Sequence, residues 1–251
     1  MTATLSLSAR ALREAVRTPD ALFPTLFIPI FFLVVNTGQA AKIFPSASTE
    51  FLSGQGYGAF QLPTTLLLAA SFGMAALFLV EEIEGGYFDK LRATPIPRSA
   101  IVLGRLGAEG VKCVFIATVI VLLALPFGIE IASGAEGFLL LIALTAAWGV
   151  VYVGFMQLIA LKTRSAAATN SGGMIFFPLL FLTPNFVPRD LLTEPMEVAA
   201  TLNPVTYLME ALRSLVLHDL DWGAVLPGFG VVAVLGAVML ALNVRTINGY
   251  D

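Results

Sequence analysis

Residues 137–161 form one uninterrupted apolar stretch, GFLLLIALTAAWGVVYVGFMQLIAL, in which no side chain carries a charge. An α-helix rises about 1.5 Å per residue, so about 20 apolar residues cross the hydrocarbon core of a bilayer. The stretch is long enough to do so. It therefore predicts a membrane-spanning helix near the middle of the chain.

The composition of the whole chain agrees with this prediction. Of its 251 residues, 57% are hydrophobic and only 12% are charged, and the mean hydropathy is +0.87. Soluble domains carry about 25% charged residues. A chain with half that share cannot cover its surface with groups that water solvates, so lipid must surround much of it.

Five further stretches have the same character. Together the predicted spans are residues 22–41, 57–80, 107–131, 137–161, 167–186 and 225–244. The fifth is the least regular, because Asn170, Gly172, Gly173 and Pro178 interrupt it, and neighbouring helices must satisfy the backbone groups that it frees. Without an internal repeat or a linker, residues 1–251 are predicted to form a single all-α integral membrane domain with six transmembrane helices.

The basic residues predict the orientation of the spans. Alternate connections hold eleven Lys and Arg on one side against three on the other. Because basic residues accumulate in cytoplasmic loops, both termini are predicted to lie in the cytoplasm. The excess of Arg over Lys and the abundance of Ala point to a bacterial cell membrane.

Several classes of function are excluded or disfavoured. The chain has no GxxxxGK[ST] phosphate loop and no nucleophile–base pair, and its single Cys113 and single His218 exclude multi-ligand metal sites. We expect no enzyme activity, no cofactor and no nucleic acid partner. Ion-coupled carriers generally need ionisable groups inside the bilayer, and the predicted spans hold none in their middles, which disfavours that class.

Two segments outside the spans have helical patterns. Residues 1–20 place Leu5, Ala9 and Leu12 on one side with arginines beside them, which is typical of an interfacial helix lying on the cytoplasmic leaflet. In the predicted extracellular segment 184–222, Asn203 and Pro204 begin an amphipathic helix at 203–217. That helix is too short and too polar to cross the membrane, but it can cap or re-enter it.

The densest run of charge is the loop 81–98, EEIEGGYFDKLRATPIPR. Its glycine pair begins a short helix that Pro95 and Pro97 end. A solvated loop explains the charges but not Tyr87 and Phe88, two aromatic residues expected to be exposed. Because aromatic residues and Arg anchor interfaces, this loop is predicted to be the surface for a partner protein.

Loop 81–98 and the predicted extracellular segment 184–222 resemble the corresponding parts of the type-2 ABC exporter permeases, the branch that contains the daunorubicin/doxorubicin resistance permeases. The matching positions of the loop are Glu82, Glu84, Gly86, Asp89, Leu91, Thr94, Pro95 and Arg98. Those of the later segment are Phe186, Pro188, Asn203, Pro204, Tyr207, Ala211 and Arg213. The family often has a basic residue where Ile83 stands, and the resemblance covers essentially the whole chain.

The resemblance implies a permease subunit that pairs with a second copy or a paralogue above two cytoplasmic ABC ATPase subunits, which bind ATP and Mg. Loop 81–98 would be the coupling helix. Its predicted ATPase contacts are Glu82, Glu84, Tyr87, Phe88, Asp89, Leu91 and Arg92, with Arg13 and Arg17 in support. The residues of the extracellular gate would be Asn203, Pro204, Tyr207, Glu210 and Arg213. A lid that only satisfies helix ends is an equal alternative for that segment.

The cargo is expected to be a hydrophobic or lipidic small molecule, because no large extracellular domain is present. Among the polar residues of the spans, Asn36, Gln157 and Asn170 are candidates for lining its path, although such side chains more often join helices. A non-transporting membrane scaffold or assembly factor is the main alternative function, and an ion-coupled secondary transporter is the second.

Overall fold

The computed structural model describes residues 2–17, 19–72 and 75–249. The α-helices of these ranges are α1 (Thr2–Arg17), α2 (Pro19–Ala40), α3 (Tyr57–Ser71), α4 (Ala75–Glu84), α5 (Tyr87–Arg92), α6 (Arg98–Ala124), α7 (Gly134–Thr163), α8 (Ala166–Gly173), α9 (Phe176–Phe181), α10 (Glu194–Leu202), α11 (Pro204–Leu217) and α12 (Trp222–Asn248). Short 3-10 turns lie at Glu50–Leu52, Leu125–Phe127 and Arg189–Leu191. The described residues contain no β-strand, which confirms the all-α class.

In the part of the chain that the structure describes, five helical segments are long and apolar enough to cross a membrane. They are Phe23–Ala40, Tyr57–Glu84, Arg98–Phe127, Gly134–Thr163 and Trp222–Asn248. By length and composition they confirm five of the six predicted spans. The second consists of α3 and α4 and includes residues 73 and 74, which lie outside the described ranges.

The continuous helix predicted at residues 167–186 is replaced by two short ones. Helix α8 ends at Gly173, and α9 begins at Phe176 and has only six residues. The apolar segment Ala166–Phe181 would rise only about 24 Å as one helix, less than the hydrocarbon thickness of about 30 Å. Two adjacent glycines at the end of α8 weaken helix continuation, which explains the break.

The third span begins earlier than predicted. Helix α6 begins at Arg98, nine residues before the expected start at 107, and gives way to a 3-10 turn after Ala124. Its first turns are helical because Ile101 and Val102 are buried in an apolar cluster with α4 and α5. As a result Glu109 lies near the middle of the helix rather than near its end.

Helix α3 is the centre of the bundle. All its residues are buried, and it packs against α2, α6, α7 and α11. Helix α2 is equally apolar but lies at the periphery, with only 11% of its spanning window buried. Helices α6 and α7 form an antiparallel pair, and α12 packs along α7 and α11.

Hydrogen bonds define the two ends of the bundle. At one end, the carbonyl of Val216 in α11 accepts bonds from Gln55 Nε2 at 2.9 Å and from Ala132 N at 3.0 Å. This end therefore joins the first and third interhelical connections to α11. At the other end, Arg98 Nη1 donates to the carbonyl of Asn248 at 2.8 Å, beside α1. Helix α1 packs against the same part of α6 through Ser8 and Gly104, so the first and the last described helices meet at one end of the bundle.

Candidate functional site

A buried carboxylate joins three helices at the end of the bundle where α1 and the end of α12 meet α6. Glu82 lies in the last turns of α4, and its side chain is only 8% exposed. Arg10 Nη2 of α1 lies 2.6 Å from Glu82 Oε1, and Arg105 of α6 binds the second oxygen, Oε2. Two guanidinium groups therefore compensate one buried carboxylate and hold α1, α4 and α6 together.

Helix α1 approaches α6 closely beside this cluster. Ser8 Oγ donates a hydrogen bond to the carbonyl of Gly104 at 2.8 Å. A Cβ atom at Gly104 would lie 2.7 Å from Leu7 Cβ, so glycine is required for this distance between the helices. Leu5 of α1 is exposed and remains available for the predicted contact with the leaflet.

Helix α5 begins after a tight turn. Gly86 has a φ of +71°, a left-handed conformation that glycine adopts without strain. After this turn, helix α5 (Tyr87–Arg92) lies beside the Glu82 cluster, where Arg10 contacts the Tyr87 ring. The short helix predicted from the glycine pair is confirmed, and it ends at Arg92, before Pro95.

Phe88 does not lie on the surface. The expectation of two exposed aromatic residues is wrong for it, because its side chain is 1% exposed and packs in the apolar cluster of Leu79, Val80, Ile101 and Leu106. A helix of six residues has one face toward the bundle, and Phe88 occupies it. It cannot contact a partner protein unless α5 detaches.

The outer face of α5 carries the groups that remain available to a partner. Tyr87 is 37% exposed, and the guanidinium carbon of Arg10 lies 4.2 Å from the centre of its ring. Asp89 is exposed and pairs with Arg92 at 3.2 Å. Lys90 is also exposed and was not among the predicted contacts.

The other predicted coupling residues lie around this face. Glu84, in the last turn of α4, is exposed, and Leu91 is half-buried. Arg13 and Arg17 are exposed on α1, one and two turns beyond Arg10. Of the predicted set, Glu84, Tyr87, Asp89, Arg13 and Arg17 are therefore exposed at this end of the bundle, whereas the Arg92 side chain is only 17% exposed.

The predicted cap of α11 is confirmed. Asn203 Oδ1 accepts a hydrogen bond from Val205 N at 3.0 Å, and Pro204 occupies the first helical position. Asn203 Nδ2 donates to the carbonyl of Leu179 at 2.5 Å. This side chain therefore starts α11 and also satisfies a carbonyl group of the short helix α9.

Helix α11 is deeper than a surface lid, because eleven of its fourteen residues are buried. Its exposed edge holds an ion pair: Arg189 donates to Glu210 through Nε at 3.0 Å and through Nη2 at 2.7 Å. The hydroxyl of Tyr207 donates to the carbonyl of Thr201 at 2.9 Å. Glu210 and Tyr207, two of the predicted gate residues, thus bind α11 to the segment that precedes it.

Arg213, one turn beyond Glu210, points into the bundle instead. Its guanidinium carbon lies 3.6 Å from the centre of the Phe60 ring in α3. Nε and Nη2 are buried and have no hydrogen-bond acceptor among the described residues. Burial lowers the pKa of Arg213, and attraction by Glu210 and Tyr57 opposes that shift. A buried cation that contacts an aromatic face and lacks hydrogen-bond partners at two of its nitrogens is costly to bury.

The three polar residues predicted for the path are not brought together. Asn36 lines a small cleft with Gln61, Thr64 and Asn185. Asn170 lines an adjoining pocket between α3, α7, α8 and α9, which shares Leu68 and Phe177 with that cleft. Gln157 is buried in α7, and its Oε1 has no partner among the described residues.

Comparison with known proteins shows the family of the chain. A family model described as ABC-2 type transporter matches residues 2–217. The chain belongs to the ABC-2 type transporter family. It is also similar to the daunorubicin resistance ABC transporter permease protein DrrB1 of Streptomyces coeruleorubidus, with 24% identity over 251 residues, covering 96% of this chain and 86% of that protein.

The part of this ABC-2 permease that matches the family contains every site described above. The glutamate cluster, α5, the broken helix pair and α11 all lie within residues 2–217, and α12 follows them. The earlier resemblance to this family is therefore confirmed, as is the assignment of the chain as an integral membrane permease.

Two sets of interacting polar side chains in this permease were not predicted from the sequence. Gln61 Nε2 donates to the carbonyl of Asn185 at 3.0 Å, and Thr64 Oγ1 donates to its Oδ1 at 2.6 Å. In α6, Lys112 Nζ lies 2.6 Å from Glu109 Oε1. The spacing of three residues between Glu109 and Lys112 could have predicted this pair, whereas no local signal links Asn185 to α3.

Proposed function

We propose that this chain is the membrane subunit of an ATP-driven exporter and that a separate ABC ATPase subunit, which binds ATP and Mg, docks on α5 and α1. The observation that carries the proposal is the placement of α5. Its inner face is fixed by Phe88, and its outer face offers Tyr87, Asp89 and Lys90 to a partner. Family membership and the absence of a phosphate loop from the sequence support an external source of energy.

The Glu82 cluster would carry movement from the ATPase to the spans. Arg10 contacts both Tyr87 in α5 and Glu82 in α4, and Arg105 joins Glu82 to α6. Because packed interiors transmit displacement rather than absorb it, a push on α5 would move α1 and the first turns of α6 with it. Arg13 and Arg17, exposed on α1, would add electrostatic contact with the ATPase or with anionic lipid.

The proposed cargo is a hydrophobic or lipidic small molecule moved outward. Support comes from the apolar clefts of the spanning region and from the name of the relative, which states daunorubicin resistance for that protein. Helix α11 would form the outer gate. At its exposed edge, Glu210 pairs with Arg189, and one turn further along, Arg213 lies buried against Phe60. Helix α11 therefore has one charged contact at its surface and one in the core.

The working unit would contain a second permease, either another copy or a paralogue, in a bacterial cell membrane. The largely exposed aromatic face of α2, in which Phe23, Phe27 and Phe31 stack in series, is available to that partner or to lipid. Both termini would lie in the cytoplasm, a placement that rests on the distribution of Lys and Arg.

Co-expression with a candidate ABC ATPase subunit tests the proposal. We expect the two subunits to co-purify, and ATP hydrolysis by the complex to exceed that of the isolated permease, which should remain at background. Vesicles containing the complex should accumulate daunorubicin only with ATP. Robust hydrolysis by the permease alone would contradict the proposal, and stable binding of the ATPase without transport of any hydrophobic compound would favour the scaffold alternative.

A further inference from the structure

Helix α11 carries one carboxylate with an arginine on either side. Glu210 is the single acidic residue of α11, and the helices α3 and α12 that pack along it contain none. Arg189 binds Glu210 from the 3-10 turn before α10, and Arg213 lies three residues further along α11. Residues three apart on a helix are neighbours. Glu210 is therefore a potential partner of both guanidinium groups.

The two arginines use the same edge of the guanidinium group differently. Arg189 donates to Glu210 through Nε at 3.0 Å and through Nη2 at 2.7 Å, which is the bidentate geometry of a strong pair. The same two nitrogens of Arg213 are buried and have no acceptor among the described residues. One guanidinium edge is therefore fully bound to a carboxylate, and the equivalent edge of the other arginine is empty.

The empty edge is the one that water cannot solvate. Arg213 is 8% exposed, whereas the side chains of Arg189 and Glu210 are 27% and 36% exposed. If the surface pair breaks, water can solvate Arg189. Exposed ion pairs contribute little to stability, and buried donors without acceptors cost more. Transfer of Glu210 from Arg189 to Arg213 would therefore lose a weak interaction and satisfy the more costly group.

The Phe60 ring opposes this transfer. The guanidinium carbon of Arg213 lies 3.6 Å from the ring centre, where the aromatic face attracts a cation. Burial lowers the pKa of Arg213, and attraction by Glu210 is the largest effect that opposes this shift. To bind Glu210, the Arg213 side chain must leave the ring and move toward the exposed edge of α11. Each arrangement thus has a gain and a loss, as a reversible exchange requires.

We propose that Glu210 exchanges between Arg189 and Arg213, and that its pairing with Arg213 opens the contact between α3 and α11. In the described conformation the surface pair binds α11 to the preceding segment, and Arg213 fills the space beside Phe60. In the other conformation Arg189 is solvated, Arg213 binds Glu210, and the space beside Phe60 is vacated. The exchange follows from these side chains, whereas its use in opening an outer gate rests on the proposed exporter function.

A thiol introduced on α11 measures the opening. Thr206 lies seven residues before Arg213 and therefore on the same helix face. It is fully buried, and its Oγ1 has no hydrogen-bond partner among the described residues, so Thr206→Cys breaks no hydrogen bond. The full-length protein is placed in lipid nanodiscs without an ATPase, and the rate of labelling by a polar thiol reagent is measured. Protein with only the buried native Cys113 gives the background.

The two partners of the surface pair should give different results when they are removed. Because labelling reports the population of the open form, Arg189→Met should make labelling at position 206 at least about threefold faster. Glu210→Gln also breaks the surface pair, but it removes the carboxylate that draws Arg213 from Phe60. It should leave the rate unchanged, alone or combined with Arg189→Met. Lys42→Met is the matched control, because it removes an exposed positive charge from the first interhelical connection, and it should have no effect.

An ion pair that only binds α11 to its neighbour would give equal increases for Arg189→Met and Glu210→Gln. That result, or no increase for Arg189→Met, would overturn the proposal. Both variants change partly exposed side chains, so neither should unfold the protein. Adding Arg213→Met to Arg189→Met should abolish the increase, because an uncharged side chain does not follow Glu210, and an increase that persists would also contradict the exchange.

The exporter function is measured separately, by ATP hydrolysis and transport with the partner subunit. If transport is absent, or does not respond to these variants, while the labelling pattern holds, the exchange stands and only its role as an outer gate is removed.

Discussion

Arg10 Nη2 and Glu82 Oε1 lie 2.6 Å apart although 72 residues separate them in the chain. The contact ties the N-terminal helix to the end of α4, immediately before the turn that leads into α5. Arg105 occupies the other oxygen of the same carboxylate. The two arginines differ in environment, since the side chain of Arg105 is 9% exposed and that of Arg10 is 38% exposed, and this difference separates their effects.

Removing the carboxylate should destabilise the protein. Glu82→Gln leaves the buried guanidinium of Arg105 without a counterion, which costs about 3–5 kcal/mol in comparable buried pairs. Arg10→Met, at the more exposed side, should cost about 1 kcal/mol or less but should reduce stimulation of the ATPase. Thermal unfolding in detergent and ATP hydrolysis of the complex measure the two effects. Equal melting temperatures for both variants would show that Arg105 does not depend on Glu82.

Phe88 and Tyr87 are adjacent but should respond differently to truncation. Phe88→Ala empties a buried site and should cost about 3–5 kcal/mol, seen as a lower melting temperature and a lower level in the membrane. Tyr87→Ala, on the outer face, should leave the melting temperature nearly unchanged and should weaken co-purification with the ATPase. If Tyr87→Ala and Lys90→Ala together leave co-purification intact at a normal membrane level, α5 is not the docking surface.

The close approach of α1 to α6 should depend on the absence of a side chain at Gly104. Gly104→Ala places a methyl group 2.7 Å from Leu7 Cβ, so α1 must shift and lose the bond from Ser8 to the Gly104 carbonyl. We expect a loss of about 1–3 kcal/mol and faster proteolysis of the N-terminal segment. Gly230→Ala in α12 is the matched control, because no atom lies within 4 Å of the added Cβ. Similar proteolysis of the two variants would contradict this packing.

The orientation can be measured with single cysteines and an impermeant thiol reagent in intact cells. Lys90→Cys should be shielded and Glu194→Cys should be labelled, because Lys and Arg are concentrated on the side that holds α5. Both positions are exposed, and the native Cys113 is buried and should contribute little background. Labelling at residue 90 without permeabilisation would reverse the orientation and remove the proposed ATPase contact.

Local signals were sufficient for much of the fold. Asn203 and Pro204 were expected to begin α11 and do so, because capping involves only neighbouring backbone groups. The glycine pair before Tyr87 likewise predicted a short helix, and Gly86 adopts the left-handed conformation that such a turn uses. The predicted spans at 22–41, 137–161 and 225–244 differ from their helices by a few residues at each end.

The candidate sites were less accessible to sequence reasoning. The identity of the charged residues in loop 81–98 was visible, but the burial of Phe88 and of Glu82 depends on α6, which follows them in the chain, and on α1, 72 residues earlier. The pocket beside Asn170 was also hidden. Asn170 was predicted for the path, yet its neighbours Phe72 and Tyr152 come from other helices.

The sequence by itself determined that the protein is a helical membrane protein, the approximate bounds of three of its spanning helices, and which family it resembles. The tertiary structure alone decided which apolar helices face lipid and which form the core. Helices α2 and α3 show why, since both are apolar but one is largely exposed and the other entirely buried. Lipid is as apolar as a protein core, so hydrophobicity does not distinguish the two surroundings. Only close packing, glycine contacts and paired polar groups such as Glu82 with Arg105 select the buried partner.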